Sequence, residues 1–212
     1  MSEKRTKIIL KRILEIYPEP TSELRNWQDD FQFLICVMLS SQTTDFQVNR
    51  VTEKLFREFP NIGSFLNADI SNIEKIISAV NYYRTKSKHI LKSAEILERD
   101  FNSRVPRNVI DLLTLPGVGK KTANVFLNEM FKSNQGIPVD THVSRIARRL
   151  DLSNSVQPVN IARDLEKLFP KEEWYKVNSS FVLFGKNYCK AKKPLCRKCV
   201  LSDLCSSGDK VL

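Results

Sequence analysis

The sequence predicts an all-α protein. Apolar residues recur with helical spacing along most of the 212 residues, beginning with Ile9, Ile13 and Ile16 in a first helix that ends at Pro18. Strand signals are nearly absent, because the chain has no Asn-Gly hairpin and no sustained alternation of apolar and polar residues. Proline, glycine and polar clusters separate the helical stretches.

The same periodicity places the later helices in order along the chain. After the first one we expect helices near 30–40, 45–58, 61–67, 71–78, 84–99, 107–114, 120–131, 142–150, 159–168 and 171–187. The segment 40–45 reads Ser-Ser-Gln-Thr-Thr-Asp, and its polar end is expected to cap the helix that follows. A polar break at 133–136 is the expected boundary between two helical lobes.

The charge balance favours a polyanionic partner. Lys and Arg total 34 against 24 for Asp and Glu, a net charge of +10, which favours nucleic acid first and an acidic membrane surface second. A basic surface that serves only solubility is the alternative. No apolar run reaches the about 18 residues of a membrane helix, and no signal segment is recognisable, so we expect a cytoplasmic protein with reduced thiols.

Residues 115–121, Leu-Pro-Gly-Val-Gly-Lys-Lys, join two predicted helices. The glycines permit a tight turn, and the exposed N–H groups at the start of the second helix can hold a phosphate without any side chain. An ordinary helix connection is the alternative, and the net charge favours the phosphate site.

Lys120 and Lys121 stand side by side at that helix start. The helix dipole and the neighbouring ammonium both disfavour a positive charge there, which favours the neutral amine that a nucleophile needs. Phosphate contact is the simpler role, expected for one of the two. Asp140, in Val-Asp-Thr-His-Val, is predicted to cap a helix.

The C-terminal region concentrates four cysteines in the pattern Cys189-x6-Cys196-x2-Cys199-x5-Cys205. Such a cluster in a reducing compartment indicates metal ligation, and spacing alone slightly favours zinc over an iron–sulfur cluster. The fifth cysteine, Cys36, lies in an apolar helix and is expected to be an inert core thiol.

Residues 115–125, the Val139–His142 segment and the cysteine spacing together resemble the endonuclease III family of DNA glycosylases. The resemblance implies two helical lobes, 22–133 and 1–21 plus 134–212, with an active-site cleft between them. It implies excision of oxidised pyrimidines and β-elimination through a lysine Schiff base, with Lys121 as nucleophile and Asp140 as its carboxylate partner. The resemblance also favours an iron–sulfur centre over zinc, because it implies a [4Fe–4S] cluster on Cys189, Cys196, Cys199 and Cys205.

The resemblance also assigns residues to DNA contacts. The helix–hairpin–helix would anchor a phosphate, Gln42 would fill the gap left by an extruded nucleotide, and the loop around Tyr82 would supply a second wedge. Asn81 stands where that loop usually has glycine, and Tyr82 stands where it has an apolar residue. The predicted DNA-binding residues are Gln42, Tyr82, Gly117, Val118, Gly119, Lys120, Lys192 and Lys193, with Asp45 and His142 as candidate pocket residues.

The expected partner is double-stranded DNA with damaged pyrimidines or abasic sites, bound by a monomer that in a prokaryote associates with the nucleoid. A monofunctional adenine or mismatch glycosylase is one alternative. Such relatives lack the lysine, and the adenine-specific ones carry a catalytic glutamate where this chain has Cys36. A non-catalytic, metal-stabilised DNA-binding module is the other.

Overall fold

A computed structural model describes residues 3–211, and these residues form helices and connecting turns without a strand. The chain divides into two units. Unit 1 takes the chain up to Ser22 together with Lys132 onward, and unit 2 is Glu23–Phe131. The all-α prediction is confirmed.

The helices of the described residues are, in chain order, α1 (Glu3–Ile16), α2 (Asp30–Leu39), α3 (Asp45–Glu58), α4 (Ile62–Leu66), α5 (Ile70–Ile76), α6 (Tyr83–Phe101), α7 (Val109–Leu112), α8 (Lys120–Phe131), α9 (Thr141–Arg149), α10 (Pro158–Leu168) and α11 (Trp174–Asn187). Short 3-10 turns occupy Lys171–Glu173, Cys196–Lys198 and Ser202–Leu204.

Unit 2 is organised around α2, whose residues from Phe31 to Leu39 are all buried. Asp29 starts this helix by accepting a 2.8 Å hydrogen bond from the Gln32 N–H, which satisfies one of the free donors of the first turn. The helix packs against α3, α6 and α8, and Phe33 stacks on Phe126 with ring centroids 6.1 Å apart. Burial of a large apolar side chain contributes roughly 1.5–3 kcal/mol, so this apolar helix contributes strongly to the stability of unit 2.

Unit 1 is built from α1 and the helices after residue 140. Ile9, Leu10 and Ile13 of α1 share a core with Phe181 and Phe184 of α11. Side chains of α1 also bond to backbone far along the chain, with Thr6 Oγ1 3.0 Å from the Leu168 carbonyl and Arg12 Nη1 2.9 Å from the Val200 carbonyl. The first helix is therefore an integral part of the C-terminal unit.

Helix ends lie within two residues of the prediction except at α11, which begins at Trp174 and not at 171 because Lys171–Glu173 forms a 3-10 turn. Helix α7 is only four residues long, two residues shorter than predicted at each end, and Asn108 caps its start by accepting from the Asp111 N–H at 2.9 Å. Helix α3 is capped by Thr44, whose hydroxyl accepts from the Gln47 N–H at 3.3 Å. Asp45 is therefore the first helical residue, and within the segment 40–45 that was predicted to cap this helix the cap is Thr44. Among the helices of residues 3–211, none has the length and hydropathy of a membrane span.

Candidate functional site

The hairpin between α7 and α8 requires glycine at position 117. Gly117 has φ +80°, a region that L-residues rarely adopt. A Cβ atom there would also stand 2.7 Å from Nδ1 of His89 on α6. Ser93, one turn further along α6, donates to the Pro116 carbonyl at 3.2 Å. Helix α6 thus supports the hairpin closely from one side.

Gly119, the second glycine of the hairpin, faces open space. A Cβ atom there would meet no protein atom within 4 Å, so packing inside the protein does not explain this glycine. Val118 between them is 5% exposed, and its N–H donates to the Leu115 carbonyl at 3.1 Å. Its side chain is a core residue, and the DNA contact predicted for Val118 stays a prediction.

Lys120 and Lys121 are the first two residues of α8, and both are exposed. The bond from the Ala123 N–H to the Gly119 carbonyl, at 2.9 Å, closes the first turn. N–H groups in the first turn of a helix have no partner within the helix, and the dipole makes this end positive. An exposed amine therefore stands beside a surface suited to an anion.

Asp140 is the N-cap of α9, as the sequence predicts. Its Oδ1 accepts a 2.8 Å hydrogen bond from the Val143 N–H, and the side chain is half-buried between the buried Val139 and Val143. The cap fixes the orientation of the carboxylate. Asp140 lies in unit 1 and Lys121 in unit 2.

His142 follows in the first turn of α9 and is packed against α11. Its Nδ1 lies 3.1 Å from Arg145 Nη2, and a Cβ atom at Gly185 would stand 2.9 Å from the same nitrogen. Burial lowers the pKa of His142, while the charge of Asp140 raises it and that of Arg145 lowers it. The balance favours a neutral imidazole beside Asp140.

Two loops of unit 2 carry the predicted DNA wedges, and the structure brings them together. Gln42 and Tyr82 are both exposed, Tyr82 by 66%, and both have left-handed backbones with φ +55° and +58°. Tyr83 instead packs against the core of unit 2. Of the two neighbouring tyrosines, Tyr82 is the one available to a ligand. Asp45, the candidate pocket residue at the start of α3, is half-buried.

The four cysteines of the C-terminal segment line one cavity of unit 1, together with Pro194 and Leu201. Burial raises the pKa of Cys199, and the neighbouring thiols Cys189, Cys196 and Cys205 raise it further. Four thiolates this close are stable only with a cationic group bound between them, which is the chemistry of a metal centre.

Four cysteine thiols are the donor set taken both by a single zinc ion and by an iron–sulfur cluster. Among residues 3–211, no group of three or more His, Cys, Asp or Glu side chains is arranged to hold one metal ion. The chemistry of the four donors therefore fits a metal centre of either kind.

Two arginines that the sequence reading did not single out connect α9 to this segment. Arg145 Nε donates to the Cys189 carbonyl at 2.8 Å, and Arg149 Nη1 lies 3.3 Å from the Cys189 sulfur. Arg149 also donates to the Lys190 carbonyl at 2.8 Å. Their spacing of four residues places them on one helix face, but nothing in the sequence links that face to Cys189. Further along the chain, Lys192 and Lys193 are exposed.

Comparison with known proteins gives consistent matches. A family model described as HhH-GPD superfamily base excision DNA repair protein matches residues 35–171. Endonuclease III of Synechocystis sp. is 38% identical over 206 residues, covering 97% of this chain and 94% of that protein. Endonuclease III of Escherichia coli K12 is 35% identical over 211 residues, covering 100% and 99%.

Solved structures agree with these matches. A trapped endonuclease III–DNA covalent intermediate superposes with a TM-score of 0.90 at 34% identity, over 97% of this chain and 96% of that chain. A thermostable thymine-DNA glycosylase superposes with a TM-score of 0.84 at 26% identity, over 96% of each chain. The chain therefore belongs to the endonuclease III family, within the HhH-GPD superfamily of base excision DNA repair proteins.

Proposed function

We propose that this protein is a bifunctional base excision repair enzyme, which removes oxidised pyrimidines from double-stranded DNA and cleaves the strand at the resulting abasic site. Membership of the endonuclease III family supports a DNA glycosylase and AP lyase acting on DNA. The observation that carries the bifunctional assignment is Lys121, an exposed amine at the start of α8 directly after the hairpin.

Lys121 is the proposed nucleophile. Its neutral Nζ attacks C1′ of the damaged nucleotide, the bond from C1′ to the base breaks, and the base leaves with the electron pair and takes up a proton. The sugar ring opens to a Schiff base between Nζ and C1′. Loss of a 2′ proton then expels the 3′ phosphate by β-elimination, and water releases the lysine. The first step needs the amine in its neutral form.

Asp140 is the proposed carboxylate partner. A carboxylate can accept the proton of the lysine ammonium or stabilise the positive charge that develops on the sugar. The N-cap bond to Val143 holds the group in one orientation, which limits the reorganisation needed during the reaction.

The DNA backbone is the proposed ligand of the hairpin and of the basic cysteine loop. A phosphate at the start of α8 would accept from backbone N–H groups, and the open space beside Gly119 leaves room for that approach. Lys192 and Lys193 would contact a further stretch of backbone. Gln42 and Tyr82 would fill the duplex where the damaged nucleotide has been extruded.

A [4Fe–4S] cluster held by Cys189, Cys196, Cys199 and Cys205 is the proposed cofactor. When bound, it would fix the C-terminal segment and the loop that carries Lys192. A [4Fe–4S] protein is yellow-brown, whereas zinc on four thiolates is colourless, so iron and sulfide content with visible absorption distinguishes the two.

Borohydride trapping tests the assignment. The protein is incubated with a duplex that carries one thymine glycol, in the presence of borohydride, and the covalent protein–DNA product is measured. Lys121→Ala should abolish trapping. Lys120→Ala removes the same charge one residue away and serves as the matched control, which should retain the covalent product even where DNA affinity falls.

The outcomes separate the alternatives. Base release without trapping in the wild type would indicate a monofunctional glycosylase in which Lys121 only contacts phosphate. Absence of both base release and cleavage of an abasic duplex would indicate a non-catalytic DNA-binding module. Trapping that survives Lys121→Ala would refute Lys121 as the nucleophile.

A further inference from the structure

We propose that Asn81 is a positioning residue that joins the Gln42 loop (residues 40–44) and the Tyr82 loop (residues 80–83) into one two-pronged element. In this element Gln42 and Tyr82 enter the duplex together as a pair. The inference deepens the proposed function and rests on it, since it concerns how that enzyme would hold a damaged site open.

The two loops are joined directly through Asn81. Its side-chain amide donates to the Gln42 carbonyl in a short hydrogen bond, and its backbone N–H donates to Thr43 Oγ1 at 3.2 Å. Residue 81 therefore fixes the main chain of the first prong and precedes Tyr82, the second prong.

Lys86, a buried side chain, adds hydrogen bonds to the same junction. Its Nζ donates to the Leu39 carbonyl at 2.7 Å and the Ser41 carbonyl at 2.6 Å, and lies 3.4 Å from Thr43 Oγ1. The side chain is only 8% exposed, and burial lowers its pKa to about 8. This amine satisfies carbonyls at the end of α2 that the helix itself leaves without partners.

Backbone strain at both prongs requires such support. Gln42 and Tyr82 are L-residues in the left-handed region, which persists only where surrounding contacts hold it. Because both side chains are exposed, core packing does not hold them. A turn bond from the Thr43 N–H to the Ser40 carbonyl at 3.2 Å closes the loop carrying Gln42, and the bonds from Asn81 and Lys86 fix it to the rest of unit 2.

The side-chain bond is specific to asparagine. A glycine at position 81 would keep the backbone bond to Thr43 but would lose the bond to the Gln42 carbonyl. Asn81→Gly and Asn81→Ala both remove that bond, and Asn81 is exposed, so neither substitution disturbs the core. Asn67→Ala is the matched control, because exposed Asn67 also donates its amide to a backbone carbonyl, that of Gly63 at 2.9 Å.

The first measurement needs no DNA. Hydrogen exchange of a peptide covering residues 40–46, followed by mass spectrometry, should be faster in both Asn81 variants and unchanged in Asn67→Ala. Equal exchange in all four proteins would overturn the junction, whether or not the protein acts on DNA.

The second measurement uses a duplex with a tetrahydrofuran abasic analogue opposite 2-aminopurine, whose fluorescence rises when it unstacks. Wild-type protein and Asn67→Ala should raise the signal. The Asn81 variants should raise it less and lose about five-fold in preference for this duplex over undamaged DNA, the effect of one ordinary hydrogen bond.

A double-mutant cycle then tests whether Asn81 acts through the Gln42 prong. Gln42→Ala combined with Asn81→Ala should be no weaker than Gln42→Ala alone, because Asn81 acts through Gln42. Additive losses would overturn the proposal. A wild-type protein that neither prefers the abasic duplex nor traps on thymine glycol would refute the proposed function instead, and the exchange result would still decide the junction.

Discussion

Replacing Gly117 with alanine should destabilise unit 2 for two separable reasons. An L-residue with a left-handed backbone costs roughly 1–2 kcal/mol, and residue 117 has φ +80°. The new methyl would also stand 2.7 Å from Nδ1 of His89, and overpacking of this kind costs about 1–3 kcal/mol. Together these effects should lower the free energy of unfolding by about 2–5 kcal/mol.

A double mutant separates the two effects. A His89→Ala background removes the ring contacts at 2.7 and 3.2 Å and leaves only the Cβ of residue 89 at 3.1 Å, so Gly117→Ala should cost mainly the backbone part, about 1–2 kcal/mol. Urea unfolding followed by circular dichroism measures each value, with unchanged slopes showing that the unfolded states are comparable. A Gly117→Ala protein as stable as the wild type, or an equal loss in both backgrounds, would refute the geometry.

Gly119→Ala is the companion change, and it should affect DNA affinity more than stability. No protein atom lies within 4 Å of the new methyl, so stability should fall by about 1 kcal/mol or less, the effect of losing glycine at a helix N-cap. DNA affinity should nonetheless fall about ten-fold if a phosphate approaches this surface. An unchanged affinity would remove the phosphate site from the hairpin.

Three further changes test other parts of the molecule. Asp140→Asn keeps an oxygen that can cap α9 and should leave the stability near that of the wild type, whereas Asp140→Ala should cost about 1 kcal/mol. Both variants should lose borohydride trapping. Full trapping by Asp140→Asn would exclude a role for the carboxylate. The pKa of Lys86 is about 8 in the folded protein, below its ordinary value of 10.5. Between these pH values the unfolded chain therefore binds more protons than the folded protein does, and the free energy of unfolding rises with pH. Lys86→Met should remove that rise in urea unfolding across the same interval, and an identical pH profile would contradict it. Cys199→Ser should reduce the visible absorption that the proposed [4Fe–4S] cluster would give and lower the melting temperature, and a cluster spectrum unchanged from that of the wild type would exclude Cys199 as a ligand.

The helices could be predicted because their signals are local. Apolar spacing marks each helix, and proline or polar residues mark its ends, as Pro158 does at the start of α10. The N-cap role of Asp140 also follows from neighbouring residues. These features depend on a few consecutive positions, which a single sequence shows.

The contacts that organise the site could not be predicted, because their partners are far apart in the chain. Asn81 meets the Gln42 loop across 39 positions, and Arg149 meets Cys189 across 40. No spacing rule links such pairs. The burial of Val118 could not be predicted either, because an apolar residue between two glycines does not show which way its side chain faces.

Because unit 1 contains segments from both sides of unit 2 in the chain, the two units cannot fold at the same time during synthesis. All of unit 2 leaves the ribosome as one continuous stretch, whereas α1 must wait for Phe181 and Phe184 before its apolar face is covered. At about 5–20 residues per second, that interval lasts roughly 8–35 s. The apolar face of α1 stays uncovered for that time, although unit 2 can fold once Phe131 has been made, which makes α1 a natural binding site for chaperones.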